Sequence, residues 1–263
     1  MKIVAGCDVG SLTAKAVILK DSKILASAMV RSRAKAQQSA ENAMSKALSQ
    51  CGLTQSDIQF CVGTGYGRNQ IPFVDHVMSE IACHAKGAKW MMPSVKTIID
   101  IGGQDCKIMK IDNNANVQNF LTNDKCASGT GRFLEVMAQV LNIDISELGS
   151  MTQKSHAPIT FASTCTVWAQ ADVIKHINDG VPPEDIGAGI NSAMANRVSI
   201  LVRGIKPEKD IAMTGGVAKN QGVLSVMEKI LGLRVKKIRK ADPQLAGAIG
   251  AAIFAHEKLL INN

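Results

Sequence analysis

Aromatic residues are scarce: six Phe, two Trp and one Tyr make up 3% of 263 residues. A platform that stacks nucleic-acid bases needs more, so base recognition is excluded as the main task. No Gly-x-x-x-x-Gly-Lys-[Ser/Thr] signature occurs, which excludes a P-loop ATPase. The opening MKIVAGCDVG lacks the basic start and apolar run of a signal peptide. The apolar stretch from Leu245 to Phe254 is too short and too rich in Gly and Ala to span a bilayer. A cytoplasmic protein without a membrane role is therefore expected. Seven cysteines, an odd number, argue against a disulfide framework there. A cysteine with a task is then a metal ligand or a redox group. With 46% hydrophobic and 20% charged residues, the chain has ample apolar surface for one large domain or two lobes.

Lys and Arg outnumber Asp and Glu by 30 to 22, a net charge of +8. Arg234, Lys236, Lys237, Arg239 and Lys240 form the densest basic cluster, and Arg31, Arg33 and Lys35 another. An anionic nucleotide, an acidic protein partner or a solvated strand edge would each account for them.

The first residues read as strands: Ile3 to Ala5, Ala14 to Leu19, then Ile24 to Val30. Ala36, Ala40, Ala43, Ala47, Leu48 and Cys51 recur at helical spacing, with Gly52 placed as a C-terminal cap. A strand is expected at Ile58 to Val62, and a helix carrying Val77, Ile81, His84 and Ala85. The opening pattern then returns: Asp8-Val-Gly-Ser-Leu-Thr-Ala-Lys15 lies over Asp100-Ile-Gly-Gly-Gln-Asp-Cys-Lys107. Each copy follows one apolar strand and precedes another, which suggests two lobes on one plan. Beyond Asp112 the pattern turns helical, with stripes through Phe133 to Leu141, Val167 to Ile177 and Ile186 to Leu201. A strand at Ile211 to Met213 runs into Gly215-Gly216, and a helix through Leu224 to Leu231 ends at Gly232. The last helix starts with Asp242 as N-cap and Pro243 in its first turn, and Gly247 and Gly250 on it permit close approach of a neighbour.

Three glycine turns thus follow strands: Gly10-Ser11, Gly102-Gly103 and Gly215-Gly216. Glycine lets backbone N–H groups approach phosphate oxygens. Ser11 and Thr13 add hydroxyls and Lys15 a charge. Asp8, Asp100 and Asp105 suit Mg2+, which prefers oxygen ligands and keeps several waters. The third turn leads into a helix start that favours phosphate or ribose. Any one such turn is commonly just a tight turn; three together, two of them duplicated, point to nucleotide. Their order, with Thr214-Gly-Gly-Val-Ala-Lys-Asn220 last, resembles the actin/hexokinase/chaperone ATPase superfamily. That resemblance implies an α/β, two-lobed actin-like (ribonuclease H-like) fold with duplicated mixed sheets around a central nucleotide cleft. It also implies that the C-terminal helix returns to the first lobe.

Cys126, in Asn-Asp-Lys-Cys-Ala-Ser-Gly-Thr-Gly-Arg-Phe, and Cys165, in Phe-Ala-Ser-Thr-Cys-Thr-Val-Trp, each stand before a helix. Helix starts lower thiol pKa values, so the pair makes a soft-metal site or, more simply, two buried thiols near helix caps. Two cysteines do not complete a four-cysteine cluster, whereas a two-fold symmetric dimer supplies the other two. The remaining cysteines, Cys7, Cys51, Cys61, Cys83 and Cys106, read as small core hydrophobes, and His84 as a structural histidine.

The cysteine segments and the glycine turns together resemble the activator ATPases of 2-hydroxyacyl-CoA dehydratases and the related ATPase subunits of benzoyl-CoA reductase. The matching motifs are Asp8 to Lys15, Gly63-Thr-Gly-Tyr-Gly-Arg68, Asp100 to Asp105, Lys125-Cys-Ala-Ser-Gly-Thr-Gly-Arg132 and Thr214 to Asn220. The resemblance implies a first lobe of residues 1–92 with 243–263 and a second of 93–242. It implies a homodimer sharing one 4Fe–4S cluster on Cys126 and Cys165 of both chains. ATP or ADP with Mg2+ would be held by Gly10, Ser11, Leu12, Thr13, Ala14 and Lys15, by Gly102, Gly103 and Gln104, by Gly215 and Gly216, and by Lys219, Asn220 and Gln244. Gln104, Asp8 and Asp105 would serve hydrolysis, with Asp8, Asp100 and Asp105 around Mg2+. The implied task is to pass an electron from ferredoxin or flavodoxin to a dehydratase or reductase component. A small-molecule kinase with Asp100 as base is the competing reading; it leaves the cysteine pair without a task.

Overall fold

The computed structural model describes residues 2–123, 127–161 and 165–261. The chain divides into two compact units. One comprises Met1–Val95, Ile111–Gln118 and Ile238–Asn263, the other Lys96–Lys110 and Asn119–Lys237.

The first unit is built on a five-stranded sheet of order β3-β2-β1-β4-β5, formed by β1 (Ile3–Val9), β2 (Thr13–Lys20), β3 (Lys23–Arg31), β4 (Phe60–Thr64) and β5 (His76–Val77). The first three strands are an antiparallel meander, and β4 runs parallel to β1. Helix α1 (Ala36–Cys51) buries Ala40, Ala43, Met44, Ala47 and Leu48 against it. This helix ends at Gly52, whose φ of 67° is left-handed, as the spacing predicted. Helix α2 (Glu80–Met91) starts three residues later than its apolar stripe suggested, because Val77 pairs in β5.

The second unit repeats the plan. Its sheet order is β10-β9-β6-β7-β8, from β6 (Thr97–Ile101), β7 (Cys106–Ile111), β8 (Val117–Thr122), β9 (Ile211–Gly215) and β10 (Val235–Lys236). Strand β7 is antiparallel to β6, and β9 and β10 follow in parallel, as β4 and β5 follow β1. The duplication extends to register: Asp8 stands opposite Lys15, and Asp100 opposite Lys107. Helices α3 (Gly131–Val140), α4 (Leu148–Lys154), α5 (Thr166–Asn178), α6 (Pro183–Gly204) and α7 (Gln221–Leu231) supply the rest, with Phe133, Met137, Val173, Ile190, Met194 and Met227 in one core. One element corrects the sequence reading. Strand β8 follows Asp112 where helix was expected, and its alternation is masked by exposed Gln118, Asn119 and Phe120. The part of the basic cluster at Val235–Lys236 is a short edge strand, which agrees with the solvated-edge alternative.

Helix α8 (Ala246–Ile261) belongs to the first unit. Asp242 caps the short turn Pro243–Leu245 that leads into it by accepting from the Gln244 N–H at 2.9 Å. By composition Pro243–Ile261 is long and apolar enough to cross a membrane. Here its apolar face is core: Ala246, Ala248, Ile249, Ala251, Ala252 and Ala255 are buried. Glycines make that packing possible. A Cβ on Gly250 would lie 1.8 Å from the Cys83 carbonyl oxygen of α2, and one on Gly6 of β1 would lie 2.2 Å from the Ala248 oxygen.

Candidate functional site

In each unit the glycine turns lie at the ends of two adjacent parallel strands. In the first, β1 ends at Asp8 and Val9, and the turn of Gly10, Ser11 and Leu12 leads to Thr13, Ala14 and Lys15 of β2. The Gly10 N–H donates to the Thr13 oxygen at 3.0 Å and closes the turn. Next to it β4 ends at Thr64, opposite Asp8, followed by Gly65 at φ 88°. In the second unit the Gly102 N–H donates to the Asp105 oxygen at 2.9 Å, which is the same closure. Strand β9 brings Thr214 opposite Asp100 and Gly215, at φ 82°, opposite Ile101. Gly65 and Gly215 correspond: a Cβ there would lie 2.6 Å from the Val9 oxygen and 2.2 Å from the Ile101 oxygen, respectively. The Thr-Gly pair beside an Asp-x-Gly strand is thus part of the repeat. Its signal in the sequence is the shared Thr-Gly at strand ends; comparing only the Asp-x-Gly copies missed it.

The two aspartates differ in one respect. Both are buried. Asp100 Oδ1 accepts from Thr214 Oγ1 at 2.7 Å. The equivalent Thr64 hydroxyl instead donates to the Met78 carbonyl at 3.1 Å. Asp8 Oδ2 pairs with Lys15 Nζ at 3.2 Å, but Asp8 Oδ1 meets no hydrogen-bond donor among the described residues. A Cβ on Gly65 would lie 2.4 Å from that oxygen. A buried carboxylate oxygen without a donor is costly and suits a cation or its bound water. Nucleotide-bound Mg2+ fits this chemistry. Asp105 is half-exposed and pairs with Lys107, while Gln104 and Lys219 are exposed. Among the described residues no three His, Cys, Asp or Glu side chains gather closely enough to hold a metal ion.

Asn220 serves the fold. Its Oδ1 accepts from the Val223 N–H at 2.9 Å and caps α7, and its Nδ2 donates to Asn191 Oδ1 at 3.0 Å. Asn191 in turn donates to the Leu148 oxygen and to Thr152 Oγ1. Gln244 is half-buried beside its cap Asp242.

Cys126 lies outside the described residues. Cys165 is the N-cap of α5 and the one exposed cysteine among those described. Cys7, Cys61, Cys83 and Cys106 are buried. Desolvation drives their thiol pKa values upward, that of Cys83 to about 12, so they stay protonated and inert. Cys51 donates its thiol back to the Leu48 oxygen. Helices α3 and α5 pack on each other, with Ala169 and Val173 against the Phe133 and Met137 core. Outward from Cys165, α5 exposes Val167, Trp168, Ile174 and Ile177. The segment that leads to Cys165 is anchored at Asp185 of α6. Its Oδ1 accepts from Ser155 Oγ at 2.6 Å and from the His156 and Ala157 N–H groups at 2.9 Å. These bonds hold its carboxyl below the ordinary range. An exposed thiol at a helix start has the donor chemistry that an iron–sulfur cluster needs.

A model of the BadF/BadG/BcrA/BcrD ATPase family matches residues 5–255. The 2-hydroxyisocaproyl-CoA dehydratase activator of Clostridioides difficile is 42% identical over 253 residues, covering 96% of this chain and 94% of that protein. The solved structure of an activator of the 2-hydroxyisocaproyl-CoA dehydratase from Clostridium difficile, with bound ADPNP, superposes with a TM-score of 0.94 at 42% identity, covering 99% of this chain and 96% of that one. Component A of the Acidaminococcus fermentans (R)-2-hydroxyglutaryl-CoA dehydratase gives 0.93 at 41% identity, covering 99% of this chain and all of the other. A ROK-family glucokinase from Streptomyces griseus, 14% identical with a TM-score of 0.55 over 97% of this chain and 99% of its own, shares the fold alone. The fold is that of the actin-like ATPases, with two mixed sheets and no closed barrel.

Proposed function

The chain belongs to the BadF/BadG/BcrA/BcrD ATPase family, and from that premise we propose that it is the ATP-driven activator of a 2-hydroxyacyl-CoA dehydratase. In this reading it accepts one electron from ferredoxin or flavodoxin and delivers it to the dehydratase. Identity of 42% to a dehydratase activator favours this partner over a benzoyl-CoA reductase component. The observation that carries the reading is the exposed Cys165 at the start of α5 in a chain whose other described cysteines are buried or bonded inward.

Each residue then has a task. Lys15, Ser11 and Thr13 bind phosphate oxygens at the first turn, with the backbone of Leu12 and Ala14. Gly102 and Gly103 do so at the second, and Gly215 and Gly216 leave room for the nucleoside, with Lys219 and Gln244 near it. Asp8 Oδ1 holds Mg2+ or one of its waters, and Asp100 and Asp105 are the other carboxylates for the ion and its water shell. Gln104 orients the water that attacks the terminal phosphate. Cys126 and Cys165, as thiolates, hold half of a 4Fe–4S cluster, and the other half comes from a second copy of the chain. When bound, that cluster supplies one-electron chemistry. The outward apolar residues Val167 and Trp168, in the first turn of α5 after Cys165, support a second copy at this face. Each ~59 mV of one-electron potential is a tenfold change in equilibrium, so a small change of surroundings at α3 and α5 suffices for gating.

The test is reconstitution under anaerobic conditions with a 2-hydroxyacyl-CoA dehydratase, a reductant and ATP. Dehydration that needs ATP and is lost in Cys126→Ser and Cys165→Ser supports the reading. Full activation by either variant contradicts it. A phosphorylated small molecule, with no dehydratase activation, would shift the function to a kinase.

A further inference from the structure

The two repeated turns are anchored differently. In the first unit the turn carbonyls are held by its own sheet: Gly10 O accepts from Ser32 Oγ at 2.8 Å, and Leu12 O from the Ser32 N–H at 2.9 Å. In the second unit the carbonyls of Gly102, the counterpart of Gly10, and of its neighbour Gly103 are held by a helix start. Gly102 O accepts from the Gly131 N–H and Gly103 O from the Arg132 N–H, both at 2.8 Å. These donors are the first two residues of α3, whose N–H groups have no partner within the helix. The N-cap residue Thr130 does not serve them; its hydroxyl donates to the Ala127 oxygen at 2.8 Å. The turn is thus the helix cap. A side chain at 131 would force the contact apart, because a Cβ there would lie 2.9 Å from Gly102 O.

The far end of the same turn is also tied. Just past Asp105, the Cys106 N–H donates to Asn123 Oδ1 at 2.8 Å, and the Asn123 N–H donates back to Cys106 O at 3.0 Å. The described residues on either side of 124–126 are therefore hydrogen-bonded to the two ends of one turn: residue 123 to its exit, residues 131 and 132 to its entry.

We propose that the Gly102–Asp105 turn transmits nucleotide state to the segment that carries Cys126, with Asn123 and Gly131 as the positioning residues of that link. The inference rests on the reading of the turns as a phosphate site and of Cys126 as a cluster ligand. Phosphate contacts that shift the turn backbone shift both anchors together. Backbone hydrogen bonds and a close glycine contact leave little slack between them. Among the described residues the first turn is held through Ser32 beside its own sheet, and it acts as a fixed phosphate holder. The coupling is reciprocal, so cluster occupancy alters nucleotide preference by the factor with which nucleotide alters the cluster's surroundings.

The experiment uses the full chain, purified anaerobically, as wild type, Asn123→Ala, Asn123→Asp and Gly131→Ala. Iron content, affinity for ADP and ADPNP, and the rate of iron removal by a chelator under each nucleotide are measured. Amide hydrogen exchange of residues 106, 123, 131 and 132 is followed in parallel. Wild type is expected to differ between ADP and ADPNP in chelation rate and in protection of these amides. Asn123→Ala and Gly131→Ala should keep iron and bind both nucleotides, yet lose most of that difference. Asn123→Asp, which retains an oxygen facing the Cys106 N–H, should keep it. Should Gly131→Ala fail to fold, the Asn123 pair decides. A wild-type difference that survives undiminished in the alanine variants overturns the link alone. A wild-type chain that binds no iron overturns the cluster reading and this inference with it.

Discussion

Asp8 and Asp100 show how one side chain separates two copies of a motif. Each ends the first strand of its sheet opposite a lysine, yet only Asp100 receives a threonine hydroxyl. The unmet Asp8 Oδ1 is what a cation would satisfy. Asp8→Asn is thus expected to fold, to bind nucleotide with little Mg2+ dependence, and to hydrolyse ATP on the order of a hundredfold more slowly; unchanged turnover would remove Asp8 from the site. The Asp185 carboxylate makes a pH prediction. Its hydrogen bonds to Ser155, His156 and Ala157 lower its pKa from 3.8, so its stabilising effect is complete above the unfolded value and fades as pH falls through the folded one. Thermal unfolding of wild type and Asp185→Asn should therefore differ at neutral pH and converge in acid. A difference independent of pH would contradict this. Asp185 was not legible in the sequence, since its partners are a loop thirty residues upstream. Asp8 was, because Asp-x-Gly after a strand is a local pattern.

Elements defined by local periodicity were readable. Helices α1, α3, α5, α6 and α7 fall where the apolar stripes put them, and the capping glycines Gly52 and Gly232 take left-handed φ. Strand β8 and helix α4 were not readable, because β8 carries a polar exposed run and α4 has only seven residues. Gly247 and Gly250 announced a close neighbour of α8 without saying which; at Gly250 it is α2. Since a Gly250 Cβ would meet the Cys83 carbonyl, Gly250→Ala is expected to destabilise the first unit by about 1–3 kcal/mol, read as a lower midpoint in denaturant; an unchanged midpoint would show that the helices separate freely. Removing the α7 cap with Asn220→Ala should cost about 1 kcal/mol and strand Asn191, with nucleotide affinity largely kept. A large loss of affinity at full stability would assign Asn220 to the nucleoside site as well as to the cap.

For the molecule, duplication is the organising fact. Two sheets share strand order, turn closure and the Asp–Lys register, and differ in what the second sheet carries: α3 and α5 with the segments of Cys126 and Cys165. The sequence disclosed the repeat through eight residues. The tie from the second turn to α3 stayed hidden because it runs through backbone groups, which residue identity does not encode. If the cysteines of two chains share one cluster, association depends on it, so Cys165→Ser should shift the chain toward monomer in sedimentation. The most direct test of the account is to count iron and sulfide in anaerobically purified protein and to record its reduced spectrum with ADP and with ATP. The account predicts about four irons per two chains and a signal that changes with nucleotide. Protein that binds nucleotide but holds no iron after reconstitution would contradict it.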